Sequence, residues 1–386
     1  KQLLAGARLA QQQHRGLRLR HPLQLAQGLQ ERGRAANEPV ARGAGVERAG
    51  QGGVALFELA GFFGHQLFQL QQLAGQRGQD AQQRQVVVQV ALAAADAVAG
   101  EHADGHAVEV VDDLSTGSLA NLGDARAMGG QLRFHHLDVA SLEFAELVGL
   151  RRPDVLYHFA LLAPHASENS SVMRAVPMLL SVLEAARNHG VKKVVVSIAA
   201  GLIYGEVNAK HLPVKEGRKN DAIGVPHVMA QTLIDLLGVY REKHGIEFTV
   251  LATTNVYGLR QRSEDGVVAA FAAAIVRGED AQIFGNGKQT RDFVYVDDVV
   301  DALVRTKNRG DGLLINIGTG VQTSVEELFK QLAAGTTVKA RKLSARPADL
   351  QRTAVSNVRA KIQLGWTPWT TLHDGLGVIR QHFKQQ

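Results

Sequence analysis

Between residues 106 and 252, short apolar runs alternate with segments of helical spacing, and that rhythm restricts the chain to few architectures. Residues 107–111 form a β-branched run that ends in Asp112 and Asp113. Residues 132–139 and 154–159 read as further strands. Within 191–197, Val194, Val195 and Val196 make the continuous apolar stretch of a strand covered on both faces. Residues 141–150, 173–188 and 228–240 space their apolar side chains as helices do, and 248–252 closes the series as a strand. Parallel strands need crossover connections, so strand–helix–strand repeats of this kind build a parallel sheet. The fold class expected is α/β, a doubly wound parallel sheet that binds ligands at the carboxyl ends of its strands.

After Val256 the pattern loosens. A helix is expected over 267–276, and Ile283-Phe284 leads into a Gly285-Asn286-Gly287 turn before a short strand at 293–296. Asp297 and Asp298 place carboxylates where a helix N-terminus favours them. Residues 313–317 form another strand, and Ser324-Val325-Glu326-Glu327 has capping-box spacing for a helix reaching Leu332. Three regions are therefore expected: 1–105, 106–255, and a smaller mixed α/β region over 256–386.

The first hundred residues differ in kind. They contain no Ser, Thr, Ile or Tyr, one Lys, ten Arg and eighteen of the thirty Gln. Strand formers, turn formers and helix caps are correspondingly scarce. Three readings stand for this segment: a Gln/Ala/Arg/Gly-rich extension, partly helical or disordered; a diverged first piece of the following domain; or a stretch never selected as coding sequence. The second has one candidate. Residues 54–57 would be a strand, Gly61 and Gly64 a phosphate-cradling turn, and the Leu67, Phe68, Leu70, Leu73 stripe a helix. Gly64 precedes Asp112 by 48 residues (112 − 64), against about 20 in a dinucleotide-binding unit.

Composition excludes several classes of function. With no cysteine there is no thiol nucleophile, disulfide or Cys-zinc site, and no metal site is read. A net charge of +6 and 5% aromatic residues give nucleic acid little to grip or stack on. No apolar run reaches the 18 residues of a membrane span. Lys1, Arg8, Arg15, Arg18 and Arg20 interrupt any secretory apolar core. A cytoplasmic protein is expected.

Several separated segments carry a family resemblance. They are His106-Ala107-Val108-Glu109-Val110-Val111-Asp112-Asp113-Leu114-Ser115-Thr116-Gly117, Leu183-Glu184-Ala185-Ala186-Arg187, Asn255-Val256-Tyr257-Gly258, Arg291-Asp292-Phe293-Val294-Tyr295-Val296-Asp297-Asp298, Asn316-Ile317-Gly318-Thr319-Gly320 and Leu364-Gly365-Trp366-Thr367-Pro368. In that order and spacing, from about residue 106 to 383, the chain resembles the extended short-chain dehydrogenases/reductases, in particular the nucleotide-sugar epimerases and dehydratases of UDP-glucose 4-epimerase type. The resemblance implies a Rossmann-like sheet, NAD as cofactor, a nucleotide sugar as substrate and a homodimer through a helical pair. It assigns Asp112, beside Asp113, to the adenosine ribose, where a carboxylate would repel an NADP phosphate. Asp138 and Val139 fall beside adenine, and Phe159 and Ala160 under the cofactor. Asn255, Arg291 and Arg346 match residues that hold the nucleotide diphosphate and sugar, a task for which a guanidinium offers parallel donors. Arg346-Pro347-Ala348-Asp349 has Ala where the family has Gly.

The catalytic positions depart from the family. There, a Tyr base is assisted by a Lys four residues later and by a Ser or Thr just before a Tyr-Gly pair. An unassisted phenol titrates near 10 and is a poor base at neutral pH. Tyr204-Gly205 anchors the hydroxyl segment, and Ala200 stands at or beside the Ser/Thr position. Ile223 stands at the Tyr position and His227 at the Lys position, and none of the five tyrosines has a Lys four residues later. Tyr204 and His227 are the remaining candidates for acid/base work. The expectation is an NAD-dependent nucleotide-sugar epimerase or dehydratase by ancestry. The alternative is a catalytically silent binding protein of the same fold.

Overall fold

The computed structural model of the chain describes residues 85–89, 107–115, 118–127, 132–160, 170–218, 224–263, 266–346 and 349–383, all within one unit, Gly53–Gln386. The first part contains β1 (Gln85–Gln89), β2 (Ala107–Asp112), α1 (Gly123–Ala127), β3 (Leu132–His136), α2 (Leu142–Arg151) and β4 (Val155–His158). Next come α3 (Ser170–His189), β5 (Lys193–Ala199), α4 (Ala200–Tyr204), α5 (Val225–His244), β6 (Glu247–Thr253) and β7 (Asn255–Tyr257). Then follow α6 (Val267–Arg277), β8 (Ala281–Phe284), β9 (Thr290–Arg291), β10 (Phe293–Tyr295), α7 (Val296–Thr306) and β11 (Leu313–Ile317). The last elements are β12 (Thr323–Ser324), α8 (Val325–Leu332), β13 (Ala340–Leu343), α9 (Val358–Gln363) and α10 (Leu372–Phe383).

Seven strands pair in the order β3-β2-β1-β4-β5-β6-β11, and every pair is parallel. The order in which the chain adds strands reverses between β1 and β4, which is the switch point where such sheets take ligands. Two features shift the expected regions. The sheet takes in β1, upstream of residue 106, pairing Gln85–Gln89 with Ala107–Val111 on one side and with Val155–His158 on the other. It also takes in β11, from the segment assigned to the C-terminal region. The strand expected at 54–57, with Gly61 and Gly64, lies outside the described residues.

The strands are covered on both faces, as their apolar runs require. Val108, Val110, Tyr157, Val195 and Leu251 enter one core, shared with α6, α7 and α8. Val111, Leu156, Val194, Val196 and Val250 enter the other, shared with α2, α3 and α5. Burying each such side chain stabilises the fold by about 1.5–3 kcal/mol. Glu109 is the exception within β2: it is buried, and Arg133 at 2.8 Å, His135 at 2.6 Å and Arg151 at 3.2 Å answer its charge.

Local signals set the helix ends. Ser141 caps α2 by accepting the Phe144 N–H at 3.3 Å. Ser324 caps α8 through the Glu327 N–H at 3.1 Å, as the capping-box spacing requires. α5 starts three residues before the expected Val228, because Pro226, which has no N–H, suits a first turn where backbone N–H groups have no helical acceptor. Small sheets β7–β10, β8–β13 and β9–β12 carry the C-terminal part. Asp292 ties them together: its buried carboxylate accepts the Thr319 N–H and hydroxyl, the Gly320 N–H and the Val355 N–H.

Candidate functional site

The site residues gather at the carboxyl ends of the strands, in two groups. The first lies where β2, β3 and β4 end. Asp112 closes β2, is 6% exposed, and accepts the Leu114 N–H on Oδ1 at 2.6 Å. Leu114 adopts φ 56°, a left-handed turn unusual outside glycine. Burial opposes ionisation of Asp113, but the Ser115 hydroxyl and N–H, with Arg174 nearby, hold its carboxyl below the usual range. Asp138 accepts the Ala140 N–H on Oδ1 at 2.9 Å and pairs through Oδ2 with Arg174 Nη2 at 2.5 Å. Val139 is buried, and its carbonyl accepts the Ser181 hydroxyl. Phe159 and Ala160 are half-buried beyond β4, with the Phe159 ring 6.0 Å from that of Tyr157. His158, ahead of them, is fully buried, and neither ring nitrogen has a partner among the described residues. Burial pushes it down to about 3, so it is neutral.

The second group lies beyond β6. Asn255 is buried in β7, donates its N–H to the Asp292 carbonyl at 3.0 Å, and accepts the Thr353 hydroxyl on Oδ1 at 3.4 Å. Arg291 is buried in β9; its Nη2 meets Asp349 Oδ1 at 2.5 Å and its Nη1 meets the Thr290 carbonyl at 2.9 Å. The Arg346 guanidinium lies 3.5 Å over the ring of Phe284, a cation–π arrangement. Burial lowers Arg346, and Asp349 opposes that shift. Asp349 thus pairs with Arg291 and bears on Arg346 through its charge. A diphosphate could displace that carboxylate and take both cations with charge-assisted bonds. Asp349, Thr353 and the Phe284 platform are additions to the set read from sequence.

The catalytic positions cluster around α4 and the start of α5. Ala200 is buried at the first position of α4, with no hydroxyl. Tyr204 is not available as a base. Its hydroxyl donates to Asn316 Oδ1 at 2.6 Å, and burial, aided by Glu216, pushes it well above the usual phenol range. His227 sits half-buried in the first turn of α5, and its Nδ1 has no partner among the described residues. Ile223 lies outside the described residues.

The model of the NAD dependent epimerase/dehydratase family matches residues 94–318. The chain belongs to that family. UDP-glucose 4-epimerase of Mycolicibacterium smegmatis is 34% identical over 294 residues, which span 74% of this chain and 93% of that protein. The crystal structure of UDP-glucose 4-epimerase from Thermotoga maritima with UDP-glucose superposes with TM-score 0.72 at 32% identity, over 78% of this chain and 99% of that one. The Thermus thermophilus UDP-glucose 4-epimerase complex with NAD gives TM-score 0.65 at 26% identity, over 78% and 99%. The fold is the Rossmann α/β fold of these epimerases, and by resemblance the cofactor is NAD.

That cofactor can be tested against the residues present. Asp112 stands 23 residues (112 − 89) after the end of β1, close to the interval of about 20 in a dinucleotide-binding unit. β1 is therefore the first strand of that unit. Yet no glycine occurs from Gln85 through Ala99, where the unit requires three for its turn, its approach to pyrophosphate and its helix packing. The residues do not fit the dinucleotide pyrophosphate. Among the described residues, no helix is long and apolar enough to cross a membrane.

Proposed function

We propose that this epimerase-family protein binds a nucleoside-diphosphate sugar, a UDP-sugar first among candidates, without turning it over. One observation carries the reading: every tyrosine is hydrogen-bonded elsewhere or buried in the core. Tyr157, Tyr204 and Tyr240 give their hydroxyls to the Leu303 carbonyl, Asn316 and Glu184, while Tyr257 and Tyr295 are buried in the core. None has a Lys four residues later, and Ala200 replaces the hydroxyl group. Proton relays act as a unit, so losing all members leaves positioning alone.

The ligand half is better equipped. Arg291, Arg346 and Asn255 hold the diphosphate and sugar in this reading, with Asp349 guarding the cations until the ligand arrives. Relatives are named UDP-glucose 4-epimerase and UDP-glucuronic acid decarboxylase, and the first selects UDP-glucose as the ligand to try. Calorimetric titration with UDP and UDP-glucose tests binding. Arg291→Ala should weaken it by about 1.5–3 kcal/mol, the range for hydrogen bonds to charged groups. An unchanged dissociation constant would remove Arg291 from the site.

A second reading keeps the protein an enzyme, with His227 as base; its half-buried position and unpartnered Nδ1 favour it. Turnover of UDP-glucose that vanishes in His227→Ala would establish it. We further place the protein in the cytoplasm as a homodimer through α3 and α5, with no nucleic-acid partner. Met173 on α3 and Val228 and Val239 on α5 are exposed apolar side chains that support such a pairing, and light scattering tests it.

A further inference from the structure

We propose that the β1–β4 half of the molecule no longer accepts a dinucleotide, so that the Arg291–Arg346 site takes its ligand independently of NAD. The proposal rests on the function above for its ligand, but not for the dinucleotide half.

The first argument is the identity of β1. It pairs with both β2 and β4 at the switch point of the sheet, so the segment after it occupies the chain position of the pyrophosphate turn. That segment begins Val90-Ala91-Leu92-Ala93-Ala94-Ala95-Asp96. Every residue in it carries a Cβ, whereas the turn needs glycine where backbone meets phosphate and where helix meets strand. The correct spacing to Asp112 excludes a glycine turn displaced upstream, such as Gly61 and Gly64.

The second argument is independent and concerns the strand ends. An adenine edge needs an unengaged acceptor, and a ribose diol is left the carboxylate sites that local turns do not use. Asp112 turns Oδ1 back onto the Leu114 N–H. Asp113 gives Oδ1 to both the Ser115 N–H and its hydroxyl. Asp138 has one oxygen on the Ala140 N–H and the other on Arg174. Arg174 thus reaches from α3 to the oxygen of Asp138 that an adenine edge would use, and its charge also acts on Asp113. At the end of β4, His158 stands in register with Gln89 at the end of β1, buried and without a partner among the described residues.

The test is calorimetric titration of the full chain with NAD, with NADP and with UDP, then UDP again in saturating NAD. Cooperative thermal unfolding of the same sample establishes that it is folded. The expected result is no saturable heat from either dinucleotide, and a UDP dissociation constant that NAD shifts by less than about twofold, meaning no coupling. Saturable NAD or NADP binding overturns the proposal, and its weakening by Asp112→Ala would show that the ribose site survives. UDP binding tightened tenfold or more by NAD, about 1.4 kcal/mol, overturns it equally. If neither UDP nor the dinucleotides bind, the nucleotide-sugar reading falls while the loss of the dinucleotide site stands.

Discussion

Tyr204 and Arg291 each match a family position, and their surroundings give them opposite fates. Tyr204 is locked by Asn316, which also takes the Val214 carbonyl through Nδ2 at 3.0 Å and whose N–H goes to Glu216 at 2.9 Å. Tyr204→Phe leaves the buried Asn316 oxygen without its donor. We expect a loss of about 1–3 kcal/mol in denaturant unfolding, with UDP affinity unchanged; a stability-neutral variant would mean that the bond contributes nothing. Buried Arg291 is held by half-buried Asp349. Asp349→Asn should lower stability, because a buried guanidinium loses its counter-charge, and tighten UDP, because the diphosphate no longer competes with a carboxylate. Calorimetry and chemical denaturation of one sample read both effects. Arg291 was legible in sequence because it sits between a glycine turn and an apolar strand. Its partner was not, since Asp349 lies 58 residues away and only the fold brings them together.

At the scale of elements, α7 has a charge arrangement with a sign that can be checked. Asp297 and Asp298 open the helix, and Thr370 donates its N–H and hydroxyl to Asp298. Burial, reinforced by Asp298, raises Asp297 from 3.8 to about 7. The folded chain therefore keeps a proton that the unfolded chain releases above about pH 4. This group's contribution favours folding below that pH and is lost as pH rises through about 7. Asp297→Asn should flatten the decline in unfolding free energy between about pH 4 and 7 relative to wild type; parallel profiles would refute the assignment. The strands were legible wherever a β-branched run stood between turn residues, as in β2, β5 and β11. β1 was not, because Val86-Val87-Val88 lies between glutamines in a segment without Ser, Thr or nearby glycine. Its place follows from the sheet's need for an interior strand, not from any local signal. The start of α5 was set by a proline that apolar spacing does not register.

Across the whole molecule, the upstream hundred residues matter to the sheet through β1. A chain shortened to begin just before Gln85 keeps all seven strands and should unfold cooperatively. One shortened to begin at His106 should lose that cooperativity and bind a hydrophobic dye, since Val108, Val110 and Tyr157 then lack a neighbouring strand. Equal melting curves would show that β1 is dispensable. Without β1, the assembly is two sheets, β3–β2 and β4–β5–β6–β11, each ending in a row of unsatisfied N–H and C=O groups. Raw edges of this kind recruit strands. A second copy carries the same Gln-Val-Val-Val-Gln strand, so side-chain order does not distinguish a strand supplied by its own chain from one lent by a second copy. The interior strand is thus also the point at which two chains could trade segments, with tethering of β1 to its own β2 as the safeguard against strand exchange.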